Sequence, residues 1–491
     1  MATTLNDLGQ TLLAQLYQIV TGGDPTVPAA TDNFISWCTP GIPFSPDDFQ
    51  FSAQGFGSGA TAEAEKQILM QAYNFAQLID FIPDPSGFYN HNHQETVYRT
   101  SQARLSEMYG EILRAAKVVH SELTDDQKAK LQKFRDLLHV TKTVTDIVTG
   151  EQKTVVEDGP MLKAYKAKEQ VYLAAALNYN NKRIAAETAS GPDGKQAVLD
   201  WETNASLYRQ QVTDAEQDWV DSGYRNEVQE IRYYIDQVTG HDMVMWIAGL
   251  RQQYEDGKMS ALGPGQTFYL TTLVPGDFAT STGWTGFSMN HETVNSTTHK
   301  ESNSFGVSGG VNFGFWSVGV NASGEFDRYS QNYSIASFKL SFELAPVTIV
   351  RAWCYPEFFM NRGWTLLPGN GWFFDDMPSD GQPPNGKDEP KGLYIGYPTT
   401  ALFARNIVIE SSDFVSAYQQ YSNSVGGGVS VGYGPFTLSG NYHHSDSGDS
   451  FSSQSTNETL TVPGMQIIGF VNHLIGKAPN LFPGLNPSDL V

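Results

Sequence analysis

Residues 305–326, FGVSGGVNFGFWSVGVNASGEF, alternate with a period of two, and this pattern constrains the chain more than any other. Phe305, Val307, Val311, Phe313 and Phe315 fall on odd positions, with Gly, Ser or Asn between most of them. After Trp316-Ser317 the phase flips, and Val318, Val320, Ala322 and Phe326 fall on even positions. Alternation on both sides of a two-residue break predicts two strands joined by a tight turn at Trp316-Ser317. The chain repeats the device. Val425, Val429, Val431 and Tyr433 approach Gly434-Pro435, and Phe436, Leu438 and Tyr442 leave it. The two patterns superpose without a gap at an offset of 118 residues, and Pro346 and Pro463, each heading an apolar run, differ by 117. The expected fold is therefore α+β: an N-terminal multi-helix domain, then a C-terminal antiparallel β domain built from two similar β modules, each with a long amphipathic hairpin.

Bulk properties bound the rest. At 491 residues the chain exceeds one ordinary core, so more than one domain is expected. A formal charge of −22 excludes nucleic acid as a natural partner, because phosphate binding needs a basic surface. The two cysteines, Cys38 and Cys354, are too few for a disulfide framework; of the two readings left, a single bridge and buried thiols, buried thiols are the expectation. No apolar run reaches the length of a transmembrane helix. The N-terminus has no basic region and carries Asp7, so no Sec signal is read, and the expected location is the producer's cytoplasm or release by a non-Sec route.

Along the chain, Thr4 followed by Leu5, Leu8, Leu12, Leu16 and Ile19 predicts a capped amphipathic helix. Residues 22–60 read as an ordered Pro/Gly-rich loop on the helices. Helices are expected over 61–82 and 96–123, then from 161 to 188 and on to about 254, with a small polar hairpin at 140–158. Only nine of the 31 Lys and Arg residues follow position 260, and there the helical pattern gives way to strands. Residues 1–260 are thus expected to form the helical domain and 261–475 the β domain. Its modules would span 267–360 and 393–475 around a long loop, 366–393, with a tail at 476–491.

Candidate chemistry is sparse. Gly306-Val-Ser308-Gly-Gly310 and Gly428-Val-Ser430-Val-Gly432 match a hydrolase motif, but neither serine sits between a strand and a helix as that nucleophile must. His91 and His93 lack the third and fourth ligands of a metal centre. No phosphate loop or dinucleotide fingerprint is present. No enzyme activity, cofactor or metal is expected. Trp372, Phe373 and Phe374, followed by Asp375 and Asp376 in the long loop, form a candidate recognition surface.

An antiparallel sheet with one buried and one solvated face is the plainest meaning of alternation. Three features point past it. The outer face is Gly, Ser and Asn in place of the charges that guard sheets. Each strand is about ten residues, the length that crosses a bilayer when tilted. Aromatics flank both turns, as at a membrane interface. In design this resembles bacterial β-pore-forming toxins, whose soluble forms store Ser/Thr-flanked hairpins and release them after oligomerising. Perforin-like proteins also carry two inserting segments per chain, but the glycine pair between their core strands is absent here, so no family is assigned. The expected function is pore formation by a homo-oligomer, aimed at a target membrane or receptor such as insect gut cells, with a second protein component as a further partner. The alternative is a self-assembling structural protein whose β faces pack on one another.

Overall fold

The computed structural model describes residues 4–21, 32–56, 61–84, 95–97, 103–119, 125–145, 152–187, 194–239, 243–260, 267–291, 316–318, 327–329, 334–366, 376–382, 390–425, 430–442, 449–451, 453–487 and 490–491. The fold is mixed, with many helices and a large antiparallel sheet, as an α+β chain should be.

The chain forms two compact units, one of residues 119–247 and one of the residues up to 118 and from 248 onward. These units do not divide at the boundary near 260 that the residue pattern suggests. Periodicity assigns elements locally, and it carries no information about which distant strands pair.

The larger unit is organised on one sheet. Its members are β1 (Asn33–Phe44), β2 (Glu95–Val97), β3 (Thr272–Val274) and β4 (Thr285–Asn290). Two further short strands follow, β5 (Trp316–Val318) and β6 (Asp327–Tyr329), which belong to a second sheet. The long central strands are β7 (Lys339–Val350) and β8 (Gly396–Glu410). Then come β9 (Val431–Tyr433), β10 (Phe436–Tyr442) and β11 (Asp449–Phe451), again of the second sheet, before β12 (Gln454–Ser455) and β13 (Thr459–Leu474) complete the first. The main sheet runs β2-β1-β13-β8-β7-β3, with β4 beside β7 and β12 beside β13.

This sheet is buried on both faces. In β7 the buried residues are Leu340, Phe342 and Leu344, then Val347 and Ile349. The parity changes at Ala345-Pro346, so the first three face one core and the last two the other. Leu402 and Ala404 of β8 join the first core and Ala401 and Phe403 the second. The first core is roofed by helix α1 (Leu5–Thr21) through Leu5, Leu8, Leu12 and Leu16. Thr4 caps α1: Asp7 N donates to Thr4 Oγ1 at 3.2 Å, and Thr4 N donates to Asp7 Oδ2 at 2.8 Å. The second core holds Phe49, Phe51 and the apolar stripe of α2 (Ala62–Ile79).

Two further readings change here. The stretch 22–60 is not simply a loop, because it contains β1, which pairs with β13 and β2. Pro40, Gly41 and Pro43 look like strand breakers, but the register slips between Trp37 and Ile42, a bulge that accommodates Pro40 and Gly41, while Pro43 pairs with Gln466 just beyond it. The helix expected over 96–123 is α3 (Leu105–Ala115), and the chain turns to strand at Ala116–Val118 to pair with Trp364–Leu366.

The smaller unit contains helices Asp125–Leu138, Pro160–Glu187, Gly194–Asp221 and Arg225–Thr239, and the expected polar hairpin as His139–Thr145 paired with Gln152–Asp158. Leu138, Leu162, Tyr165, Trp219, Val228 and Ile231 form its core. Asp200 accepts from Lys182, Asn204 and Tyr208, and these donors hold its carboxyl down at about 2.

Candidate functional site

Four strand ends share one row across the main sheet: Asn290 of β4 opposite Lys339 of β7, Lys339 opposite Glu410 of β8, and Glu410 opposite Thr459 of β13. The chain leaves this row twice. Residues 291–338 connect β4 to β7 and residues 411–458 connect β8 to β13, each an insertion of 48 residues between adjacent antiparallel strands. Each begins by continuing its ladder one step: His291 N donates to Phe338 O at 2.9 Å, and Ser411 N donates to Glu458 O at 2.8 Å. The bases are tied together. Lys339 Nζ meets Glu410 Oε1 at 2.8 Å, and Ala336 N donates to Asp413 Oδ2 at 2.8 Å.

The two insertions contribute to one five-stranded sheet, ordered β6-β5-β9-β10-β11. β5 from the first pairs with β9 from the second, Trp316 opposite Tyr433 and Val318 opposite Val431. The turn expected at Gly434-Pro435 is present, with Tyr433 opposite Phe436 and Gly434 at φ 55°, where an L side chain is strained. The turn expected at Trp316-Ser317 is not. Both residues lie inside β5, which also pairs with β6 through Trp316 and Tyr329. A change of phase in alternation marks a bulge or a neighbouring strand as readily as a turn, and the long-range pairing decides between them. The chain before the second hairpin is helix α4 (Ser412–Val425), which places Val425, expected in the approaching strand, at a helix end.

The described hairpin residues are stowed. Trp316 stacks on Tyr421 at 4.8 Å and leans on Tyr433 at 5.1 Å and Phe414 at 5.2 Å. Tyr433 Oη donates to Leu5 O at 2.5 Å, and Phe436 meets Phe342 edge-on at 5.2 Å. Trp316, Val431, Tyr433, Phe436 and Leu438 are all buried in the first core. The small-residue face is covered as well. A Cβ on Gly432 would come within 2.3 Å of Pro40 Cβ, and Thr437 is buried. The expectation of a wettable outer face is therefore corrected around this turn: its small residues make room for the bulge of β1.

Phe305, Val307, Val311, Phe313, Phe315, Val320, Phe326, Val429, Trp372, Phe373, Phe374 and Asp375 lie outside the described residues. Val318 and Tyr442 lie in strands, and Asp376 is exposed. The pattern also missed residues that seat the hairpins, above all Gln466, Gly41 and the leucines of α1. A glutamine at an inward position of an otherwise apolar strand (MQIIGF) was the available signal.

Other chemistry stays apart from this site. Ser430 precedes β9 rather than a helix. Cys38 and Cys354 are not bridged, and desolvation pushes both thiols up, Cys354 to about 12. Among the described residues no group of His, Cys, Asp and Glu converges as a metal site, and no helix is long and apolar enough to cross a membrane. A polar cavity of about 270 Å³ lies beside the stacked Tyr254 and Tyr269, with Asp80 in its wall already accepting from Ser106 N and Oγ. No protein family, curated protein or solved structure matches the chain.

Proposed function

We propose that this is a pore-forming protein that oligomerises and extends its two insertions into a target membrane as β-hairpins. The observation that carries the reading is the pair of 48-residue insertions leaving one end of one sheet in equivalent positions. Their bases already continue the ladders, so both can unroll as hairpins while β7, β8 and β4 keep their pairing, and the second releases only the short β12 from β13. Two copies of one β module, with strand ends offset by 120 residues, account for the symmetry. Each hairpin would supply strands of about 20 residues, on the order of 65 Å. The hydrocarbon core is about 30 Å thick and needs roughly ten tilted residues.

Four strands do not close a barrel, and open edges are not tolerated in lipid, so copies must associate. The sheet has edges suited to this. β4 is TGFSMN, without the lysine, glutamate or proline that usually guards an edge, and no described strand covers its outer side. β1 pairs with β13 only from Met465 onward, leaving Thr459–Gly464 to the two-residue β12. Strand directions alternate from β4 through β7 and β8 to β13, so the β4 edge of one copy beside the β13 edge of another would continue the antiparallel order.

Dye release from liposomes and from target cells, with and without protease activation, tests the reading; its absence under every condition would sink it. A lock sharpens the test. Thr4 and Ser334 are antiparallel bridge partners, within reach of a disulfide. Thr4→Cys with Ser334→Cys should block release when oxidised and restore it on reduction. The alternative, a self-assembling structural protein, draws on the same unguarded edge. It predicts soluble assemblies that form whether or not the lock is closed.

A further inference from the structure

The second hairpin is held to the main sheet by a polar clasp. Thr437 N donates to Gln466 Oε1 at 2.7 Å, and Gln466 Nε2 donates back to Thr437 O at 3.2 Å. One side chain of β13 thus meets both backbone groups of a residue in β10. Thr437 Oγ1 donates in turn to Gly41 O at 2.6 Å. Gln466 is 0% exposed and Thr437 4%, so none of these bonds is exchanged for water while the hairpin is stowed.

The local sequence is arranged around this contact. Gly41 sits in the bulge of β1, where a Cβ would come within 2.4 Å of Gln466 Oε1 and 2.6 Å of Pro435 O. Any other residue there would close the opening through which the amide passes. Tyr433 Oη adds a buried hydrogen bond to Leu5 O, whereas the packing of Val431, Phe436 and Leu438 is apolar and weakens gradually as side chains slide apart. Hydrogen bonds in a dry interior behave differently, because a small displacement leaves buried donors and acceptors unmet.

We infer that Gln466 is the latch on the second insertion: its amide, seated through Gly41 onto Thr437, sets how readily residues 431–442 leave the sheet. This rests on the reading that the insertions unroll, and it names the contact that must break for the second one to do so.

Amide hydrogen exchange in solution decides it, without any membrane. Gln466→Met keeps the length and removes the polar end. Thr437→Val removes only the bond to Gly41 O and is the milder change. Exchange in a peptide covering 431–442 should rise roughly tenfold or more in Gln466→Met. It should rise less in Thr437→Val, while peptides from β8 stay as protected as in the wild type. Unchanged exchange in 431–442 would overturn the latch. A rise of equal size throughout β8 would overturn it too, since Gln466 would then be an ordinary core contact. If Gln466→Met fails to fold, selective exchange in Thr437→Val still decides. Dye release, run in parallel, judges the separate reading: if selective opening occurs and no variant releases dye, the latch stands and pore formation falls.

Discussion

Trp316 sits where the alternation changes phase, and its neighbours explain why a turn does not form there. Tyr421, Phe414 and Tyr433 enclose the indole, and its Nε1 has no acceptor among the described residues. Such an N–H costs free energy, which the aromatic contacts more than offset in the stowed state. Trp316→Ala should lower stability by about 3–5 kcal/mol, read from urea denaturation. If the proposed release occurs, the same variant should need less protein for half-maximal dye release. Residue types showed that this stretch is amphipathic. The identity of its partners came from α4 and β9, about a hundred residues away, where no local pattern reaches.

At the scale of elements, much was legible. The capped first helix, the polar hairpin, the Gly434-Pro435 turn and the apolar runs headed by Pro346 and Pro463, which lie inside long strands, all follow from periodicity and turn chemistry. What failed did so for identifiable reasons. β1 carries Pro40 and Gly41 inside a bulge and Pro43 just after it, so it resembled a loop. α4 carries Ser, Asn and Gln on its outer side and resembled a strand approach. The glycines of the second hairpin looked like a solvated face, whereas Gly432 lies against Pro40. On the proposed reading that contact separates two states. Gly432→Val collides with the bulge in the stowed form and should cost about 1–3 kcal/mol there. An extended strand has no such neighbour and favours valine. The variant should therefore melt lower and, on the proposed reading, release dye at a lower dose.

At the scale of the whole molecule, the sheet is finished on both faces and unfinished at its edges. The β4 edge spans the rows from Asn290 to Thr285, which align with Thr459 and Gln466 on β13. β1 covers β13 from Met465 onward and β12 covers Leu460 and Thr461, so release of β12 would open Thr459–Gly464 at the height of the β4 edge. A charge on the first should block association without disturbing the fold. Ser288 is exposed, and Ser288→Lys should leave the stability within about 1 kcal/mol of the wild type while abolishing assemblies in sedimentation after exposure to liposomes.

The pairing of insertions also has a metrical consequence. Because each chain would contribute two hairpins, strands would enter a closed wall only in groups of four. Adding or losing one subunit would change the circumference by four interstrand spacings, about 19 Å, before any correction for tilt. Rings of differing size in one preparation would then not grade into each other. Single-channel recordings would show conductance in separate steps, each step being one chain.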